Sequence, residues 1–376
     1  MMGLLANDFV LREDNCNLSC EYCLTGQSNF KARHSLKLIF EPPQRDTYSP
    51  SGNLGMRMHG VVEGISRSSP LPIIKVTGGE IFLVRGIMHF LRKLSKEYAT
   101  VVIQTNGVLV NDEVAAEIES WGNACLQISL DAVSYEGNSY RSTSERQHRM
   151  VIDRIFSSLE RRIPTEIYLV LTDRSVPWLA HTLESLLPYH DHLQVCPFPV
   201  RGPEKSKFYF RPEQIPLMRE ILDRYDRYAP VLPPRAYWRR LVRFLEEGGR
   251  TFRCHLPRFA FTSFDDGTVT PCPNIWFNTI GNVLTEDAGA VMEQIGKTAF
   301  YQLLLADKPR VDACKGCFTP WDTLSMYMDG EITIDELCSS PMYSAPESRA
   351  AIERIARDYR EGRSECSASS SHPTSG

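Results

Sequence analysis

The chain has 376 residues, 42% of them hydrophobic, with 42 Lys and Arg against 46 Asp and Glu for a net charge of −4. At roughly 150 residues per domain, that length holds about two or three domains, or one large α/β domain with an appendage; the composition excludes global disorder and a collagen-like chain. No apolar run reaches the roughly 18 residues that span a bilayer, and a mildly acidic chain is a poor sequence-independent DNA binder, so neither a membrane nor a nucleic acid is an expected partner.

The start, Met1 to Asp8, has no basic region and is broken by Asp8, so it does not read as a signal peptide and a cytoplasmic protein is expected. The first two-thirds alternate strand-like and helix-like segments. Short apolar runs bounded by turn residues read as buried strands at Phe9 to Arg12, Pro72 to Thr77, Ala99 to Gln104, Cys125 to Leu130, Glu166 to Leu171 and Leu193 to Cys196. Between them lie stripes at helical spacing: Val84, Ile87, Met88, Leu91 and Leu94; Val114, Ile118 and Trp121; Val151, Ile152, Ile155, Phe156 and Leu159; Leu179, Leu183 and Leu186. Strand-then-helix repetition implies α/β architecture with a parallel sheet and right-handed crossovers, and six units make a partial (β/α)6 TIM-like barrel. Gln27 to Ser69 breaks the rhythm with a helix and a long loop. Phe210 to Gly249 carries two helical stretches with Tyr225, Tyr228, Tyr237 and Trp238, which either line a cleft or form an amphipathic linker pair. Gly362 to Gly376 is serine-rich and polar and reads as disordered.

Eleven cysteines are too many to pass over. In a long chain without an export signal, an odd and clustered set points to metal or redox chemistry rather than disulfides. Cys16, Cys20 and Cys23 lie within eight residues, directly after the first strand. A loop that tight can wrap three sulfurs around one small inorganic core. Three thiolates hold three irons of a four-iron cube and leave one open, and an open iron is reactive in the way an open zinc position is. The alternatives are a thioredoxin-like Cys20–Cys23 pair, which lacks its fold context, and a zinc knuckle, which lacks a nearby fourth ligand.

The cysteine loop, the strand order and three later strand ends together resemble the radical S-adenosylmethionine (SAM) superfamily. The resemblance implies a [4Fe-4S] cluster on the catalytic Cys16, Cys20 and Cys23, with SAM chelated at the open iron. It implies one-electron cleavage of SAM to a 5′-deoxyadenosyl radical that abstracts a substrate hydrogen atom, and an external electron donor such as flavodoxin or ferredoxin. Thr77-Gly78-Gly79-Glu80 looks like the family's motif for the SAM amino group: Gly78 and Gly79 let the backbone approach a ligand, and Glu80 is expected to pair with the ammonium. Asn106, Ser129 and Asp131 stand at strand ends, where ligand-facing polar groups occur; Asn106-Gly107 also reads as a plain turn. By resemblance Ser129 faces the ribose or carboxylate end of SAM, and Arg141 pairs with its carboxylate, although Ser142 stands where the family has glycine. Tyr22, inside the cysteine loop, joins the cofactor-binding set.

A second constellation follows. Seventeen residues lie between Cys254 and Cys272, Cys314-Lys315-Gly316-Cys317 comes later, and Asp265-Asp266-Gly267 is a hairpin signal between the first two. A hairpin would bring Cys254 and Cys272 together, and the Cys-x-x-Cys loop would close four thiolates around one metal. The pattern resembles the twitch domain, the shortened SPASM extension of many radical SAM enzymes, which implies an auxiliary [4Fe-4S] cluster and thus two clusters in all. The spacing resembles that of an aminocyclitol dehydrogenase of this family. The alternative is a zinc ribbon on the same four thiolates. Cys125 reads as core, Cys196 as core or cleft, Cys338 as a ligand or neighbour of the second cluster, and Cys366 as part of the tail.

The expected domains are a radical SAM partial barrel over 1–205, a helical linker over 206–250, a cysteine-rich twitch domain of hairpin plus helix over 251–345, and a C-terminal helix and disordered tail over 346–376. The expected activity is oxidation of a small natural-product precursor such as an aminocyclitol or sugar, with the auxiliary cluster as electron acceptor. The cluster loop begins at Cys16 with no peptide-recognition extension before it, which weakens a second reading, oxidation or cross-linking of a ribosomally made peptide. A redox-neutral epimerase and a non-enzymatic zinc-binding interaction protein are further alternatives.

Overall fold

The computed structural model describes residues 3–11, 16–23, 39–40, 48–201 and 205–369, with side chains described as far as residue 361. Six parallel strands stand side by side in chain order: β1 (Ala6–Val10), β2 (Ile73–Thr77), β3 (Thr100–Thr105), β4 (Ala124–Ser129), β5 (Thr165–Leu171) and β6 (Leu193–Pro199). They are the six strands expected, each within a few residues of its apolar run. Helices on the outer face bury them, so their outward residues, Phe9, Ile74, Val76, Ile103 and Leu126 among them, are as apolar as a parallel sheet demands.

The predicted helical stripes face this core. Ile87, Leu91 and Leu94 of helix Ile87–Glu97 are buried, as are Val151, Ile155 and Leu159 of Glu145–Leu159, and Leu179, Leu183 and Leu186 of Leu179–Leu186. Val84 is buried too, but outside its helix. Gly86 adopts φ +82, a left-handed backbone that separates the short turn Ile81–Leu83 from the helix. Ser144 opens Glu145–Leu159 as a side-chain cap on the Gln147 amide.

The cysteine-rich part is joined to the barrel through the sheet. β7 (Ala260–Phe264) runs parallel to β1 with Ala6 opposite Ala260, and β8 (Thr268–Thr270) and β9 (Gly281–Asn282) follow antiparallel. The nine strands form one sheet, β6-β5-β4-β3-β2-β1-β7-β8-β9. The expected hairpin therefore exists, with Gly267 at φ +88; a Cβ there would strike the Asn282 and Leu284 side chains.

Between the two parts lie helices Ile215–Asp223, Tyr225–Tyr228 and Arg235–Glu246. Tyr225, Tyr228, Tyr237 and Trp238 are buried among them, and Trp238 Nε1 donates to the Met218 carbonyl. They make a packed linker rather than the wall of a cleft. Segment 340–343 turns back against the barrel, where Ser340 Oγ donates to Glu166. One expectation is corrected at the end of the chain. Helix Pro346–Ser369 continues past Gly362, because each residue added to an existing helix gains a backbone hydrogen bond; residues 370–376 lie outside the described residues, as does most of the loop expected after Gln27. Among the described residues, no helix is long and apolar enough to cross a membrane.

Candidate active site

The carboxyl ends of the barrel strands open on a cavity of about 240 Å³. Cys16, Cys20, Tyr22, Cys23, Gly78, Gly79, Asn106, Ser129 and Arg141 all line it. Residues drawn from five stretches of sequence converge there because ligand-facing side chains of such sheets sit beyond the strand ends. Two expected members, Glu80 and Asp131, lie behind the wall.

The three thiols share one side of the cavity. The Leu18 amide points at Cys16 Sγ across 3.4 Å, and the Cys23 amide closes a turn on the Cys20 carbonyl. Burial pushes the Cys16 thiol well up, reinforced by the neighbouring Cys20. Burial raises Cys20 to about 11, against the pull of the Arg141 guanidinium. Thiols so placed become thiolates only beside strong positive charge, which a metal core supplies. Among the described residues, no three His, Cys, Asp or Glu side chains close on a single-ion site. The thiols stand around a shared space instead, and the set fits an iron–sulfur core with three protein ligands.

Glu80, expected to pair with the SAM ammonium, is bonded to its own chain in the structure. Its carboxylate accepts from the Phe82 amide at 3.2 Å, the Asn106 amide at 2.8 Å and the Thr105 hydroxyl at 2.9 Å. Burial lifts its pKa to about 6 in spite of these donors. Its carboxylate thus ties the Gly78-Gly79 turn to Asn106. A Cβ on Gly78 would press on the Leu11 carbonyl at 3.0 Å, so the glycine keeps the cavity floor against β1. Asn106 in turn donates to Asn17 Oδ1 at 2.7 Å, inside the cysteine loop, while Gly107 at φ +80 makes the turn that was the alternative reading. Turn and ligand-facing side chain coexist there.

Asp131 also acts through others. Tyr22 donates to its Oδ2 at 2.5 Å, and Arg141 Nη1 donates to the Tyr22 oxygen at 3.2 Å. Burial raises Asp131 to about 6, opposed by Arg141 and Tyr22. This chain fixes Tyr22 and presents Arg141 to the cavity as a buried cation.

Cys254, Cys272, Cys314 and Cys317 line a second, smaller pocket. A buried pair builds it: Arg250 Nη1 and Nη2 donate to the two oxygens of Asp322, each at 2.7 Å, and Arg250 Nε donates to the Cys317 carbonyl at 2.8 Å. The Thr319 amide also donates to Asp322. The pair therefore clamps the Cys-x-x-Cys loop onto the segment that carries Cys254. Burial pushes Cys254 to about 12 and Cys314 to about 11. Cys338 is half-buried at the end of helix Ile334–Cys338 and is not on this pocket's wall; Cys125 and Cys196 are buried in the barrel. Asn274 and Thr319 line both the pocket and the main cavity.

Several wall residues escaped the sequence reading: Asp8, Lys75, Tyr168, Arg201 and Trp321. A signal was available. Lys75 interrupts an apolar strand at an inward position, and its register partner is Asp8. Arg250 and Asp322 had no comparable signal, since 71 residues of unrelated sequence separate them.

Residues 14–186 match the profile of the Radical SAM superfamily. Among curated proteins, the GTP 3′,8-cyclase of Geobacter sulfurreducens is 32% identical over 122 residues, 32% of this chain and 32% of that one. The GTP 3′,8-cyclase of Petrotoga mobilis is 26% identical over 152 residues, 39% of this chain and 41% of that one. The chain thus matches about a third of the length of the first of these relatives. Among solved structures, anSMEcpe with bound AdoMet aligns over 96% of this chain and 94% of its own, at 14% identity and TM-score 0.55. Streptococcus suis SuiB bound to the precursor peptide SuiA aligns over 85% of this chain and 72% of its own, at 12% identity and TM-score 0.57. Such identities speak for the fold alone. With that fold and a three-cysteine loop facing the strand ends, the matched residues 14–186 carry a radical SAM domain.

Proposed function

We propose that this enzyme is an oxidoreductase that takes a hydrogen atom from a small polar substrate, such as an aminocyclitol or sugar, and delivers the remaining electron to a second [4Fe-4S] cluster. The observation that carries the reading is the shared wall: Asn274 and Thr319 face both the main cavity and the four-thiol pocket. A substrate in the cavity would lie against the residues that enclose the second centre.

With a cluster and SAM bound, the main cavity gains a one-electron reductive cleavage of the sulfonium, chemistry the cofactors supply. The chain's own part is placement. Cys16, Cys20 and Cys23 would hold the cluster, and the Leu18 amide would stabilise Cys16 as a thiolate. Gly78 and Gly79 leave room for the amino end of SAM, Arg141 offers its guanidinium to the carboxylate, and Asp131 keeps Tyr22 and Arg141 aimed. Ser129 lines the same wall. An electron donor such as flavodoxin or ferredoxin would reduce the first cluster. Cys254, Cys272, Cys314 and Cys317 would complete the ligand set of the second, leaving no iron open for substrate, which suits a carrier of electrons.

A peptide substrate is the second reading. What favours it is that two proteins of similar fold, SuiB and anSMEcpe, have been solved with peptides bound.

The test is the metal content. Anaerobically reconstituted protein is expected to hold about eight irons per chain, and the Cys314→Ala/Cys317→Ala variant about four. A variant that keeps the full count would remove the second cluster from the proposal.

A further inference from the structure

We propose that Lys75 and Asp8, with Arg201 and the faces of Tyr168 and Trp321, form the subsite that anchors the substrate, and that this subsite selects a neutral polyhydroxylated ring. The inference deepens the small-substrate reading above and rests on it.

Lys75 is 5% exposed and Asp8 is 3% exposed, yet both reach the main cavity. Their closest approach, Lys75 Nζ to Asp8 Oδ1, is 3.7 Å, longer than the roughly 2.7–3.2 Å of a hydrogen bond. Asp8 Oδ1 is buried with no hydrogen-bond partner. Lys75 carries three N–H donors; beside them stand this charge and two rings, Tyr168 at 5.4 Å and Trp321 at 5.8 Å, with the buried Glu166 carboxylate also within electrostatic reach. A buried ion pair that lacks hydrogen bonds has lost water without replacing it. A hydroxyl group between the two repairs both deficits, since it accepts from Lys75 and donates to Asp8.

The charges choose the ligand. Lys75 and Arg201 stand against Asp8 and the buried Glu166, so the four charges sum to zero and a neutral group fits, whereas a phosphate or carboxylate between Lys75 and Asp8 would meet the Asp8 carboxylate. Arg201, just beyond β6 on the same cavity, donates through Nη1 to Asn274 and has a buried Nε without a partner. It supplies donors for a second hydroxyl. Tyr168 and Trp321 offer apolar faces to the C–H side of a ring. Asp8 and Lys75 lie two residues deeper in their strands than Val10 and Thr77, below the Gly78-Gly79 turn assigned to SAM.

The experiment uses reconstituted full-length protein with SAM, and scyllo-inositol and methyl glucoside as probes at millimolar concentration, read by saturation-transfer NMR. Both probes are expected to bind, and inositol monophosphate more weakly than inositol. Lys75→Met is expected to weaken the neutral probes about ten- to hundred-fold, with SAM affinity and cluster absorbance unchanged. Because Lys75→Met strands a buried carboxylate, Asp8→Asn/Lys75→Met and Trp321→Leu are measured beside it and are expected to weaken the same probes. No transfer to either neutral probe, tighter binding of the phosphate ester, or wild-type affinity in folded variants would each overturn the subsite. Loss of SAM binding by the parent protein would instead strike the functional reading on which it rests.

Discussion

Arg250 and Asp322 illustrate how much one buried pair can organise. Both side chains are 2% exposed, and their two parallel hydrogen bonds are the geometry that makes Arg–carboxylate pairs specific as well as strong. Removing one partner leaves a buried charge uncompensated, at a cost of about 3–5 kcal/mol. Asp322→Asn is therefore expected to lower the melting temperature of the metal-free protein by several degrees and to speed alkylation of Cys314 and Cys317, because Thr319 and the Cys317 carbonyl lose their anchors together. Differential scanning calorimetry and a thiol-labelling time course would show it. Unchanged melting and labelling would mean that the loop holds its shape without the pair. Glu80 makes a related point. Its motif was legible, but its bonds to Thr105, Asn106 and Phe82 of its own chain were not.

Among the elements, the strands were the most legible, because parallel strands covered on both sides must be short apolar runs ended by turns. The attachment of β7 to β1 was not legible: 253 residues lie between Val10 and its partner Phe264, and no local pattern encodes a pairing at that range. In the site, cysteines and glycines announced themselves by type and spacing, while Lys75 gave only the weaker signal of one polar letter inside an apolar strand, and Asp8 followed Asn7 just ahead of the run read as the first strand. The packing of helix Arg235–Glu246 on Asp322–Met328 gives a pH test. Arg240 Nη2 donates to Asp329 at 2.6 Å, and its Nε donates to Glu331 at 2.9 Å. Burial alone would raise the Asp329 carboxyl, but hydrogen bonds from His255 and Arg240 outweigh it and hold its pKa below the usual 3.8. A depressed carboxyl binds fewer protons folded than unfolded, so its contribution is complete above that value and is lost as pH falls through the folded pKa. Asp329→Asn is expected to cost about 1–3 kcal/mol near neutrality, between the values for exposed and buried pairs. The gap to the parent should close below about pH 4 in urea titrations of both proteins. A gap independent of pH would show that Asp329 acts by packing rather than charge.

At the scale of the whole molecule, one sheet carries both cysteine sets. The β1 end leads into the Cys16 loop, and its neighbour β7 begins the hairpin that leads to Cys272. Two thiol sites are thereby built on adjacent strands, with Asn274 and Thr319 as the partition. If that partition serves electron transfer, the two sites should be separable by mutation. Cys272→Ala leaves Cys16, Cys20 and Cys23 untouched, so SAM cleavage and hydrogen abstraction should survive, and deuterium from a labelled substrate should still appear in 5′-deoxyadenosine. Oxidised product should fall sharply, since the substrate radical has lost its acceptor and can only be quenched or reverse. Circular dichroism guards against the competing account, in which the second centre only staples the hairpin region and both activities vanish with local unfolding. A folded Cys272→Ala protein that lacks half its iron yet yields normal product would refute the electron-acceptor role. Redox-neutral chemistry such as epimerisation would then be the better description of what the cavity does.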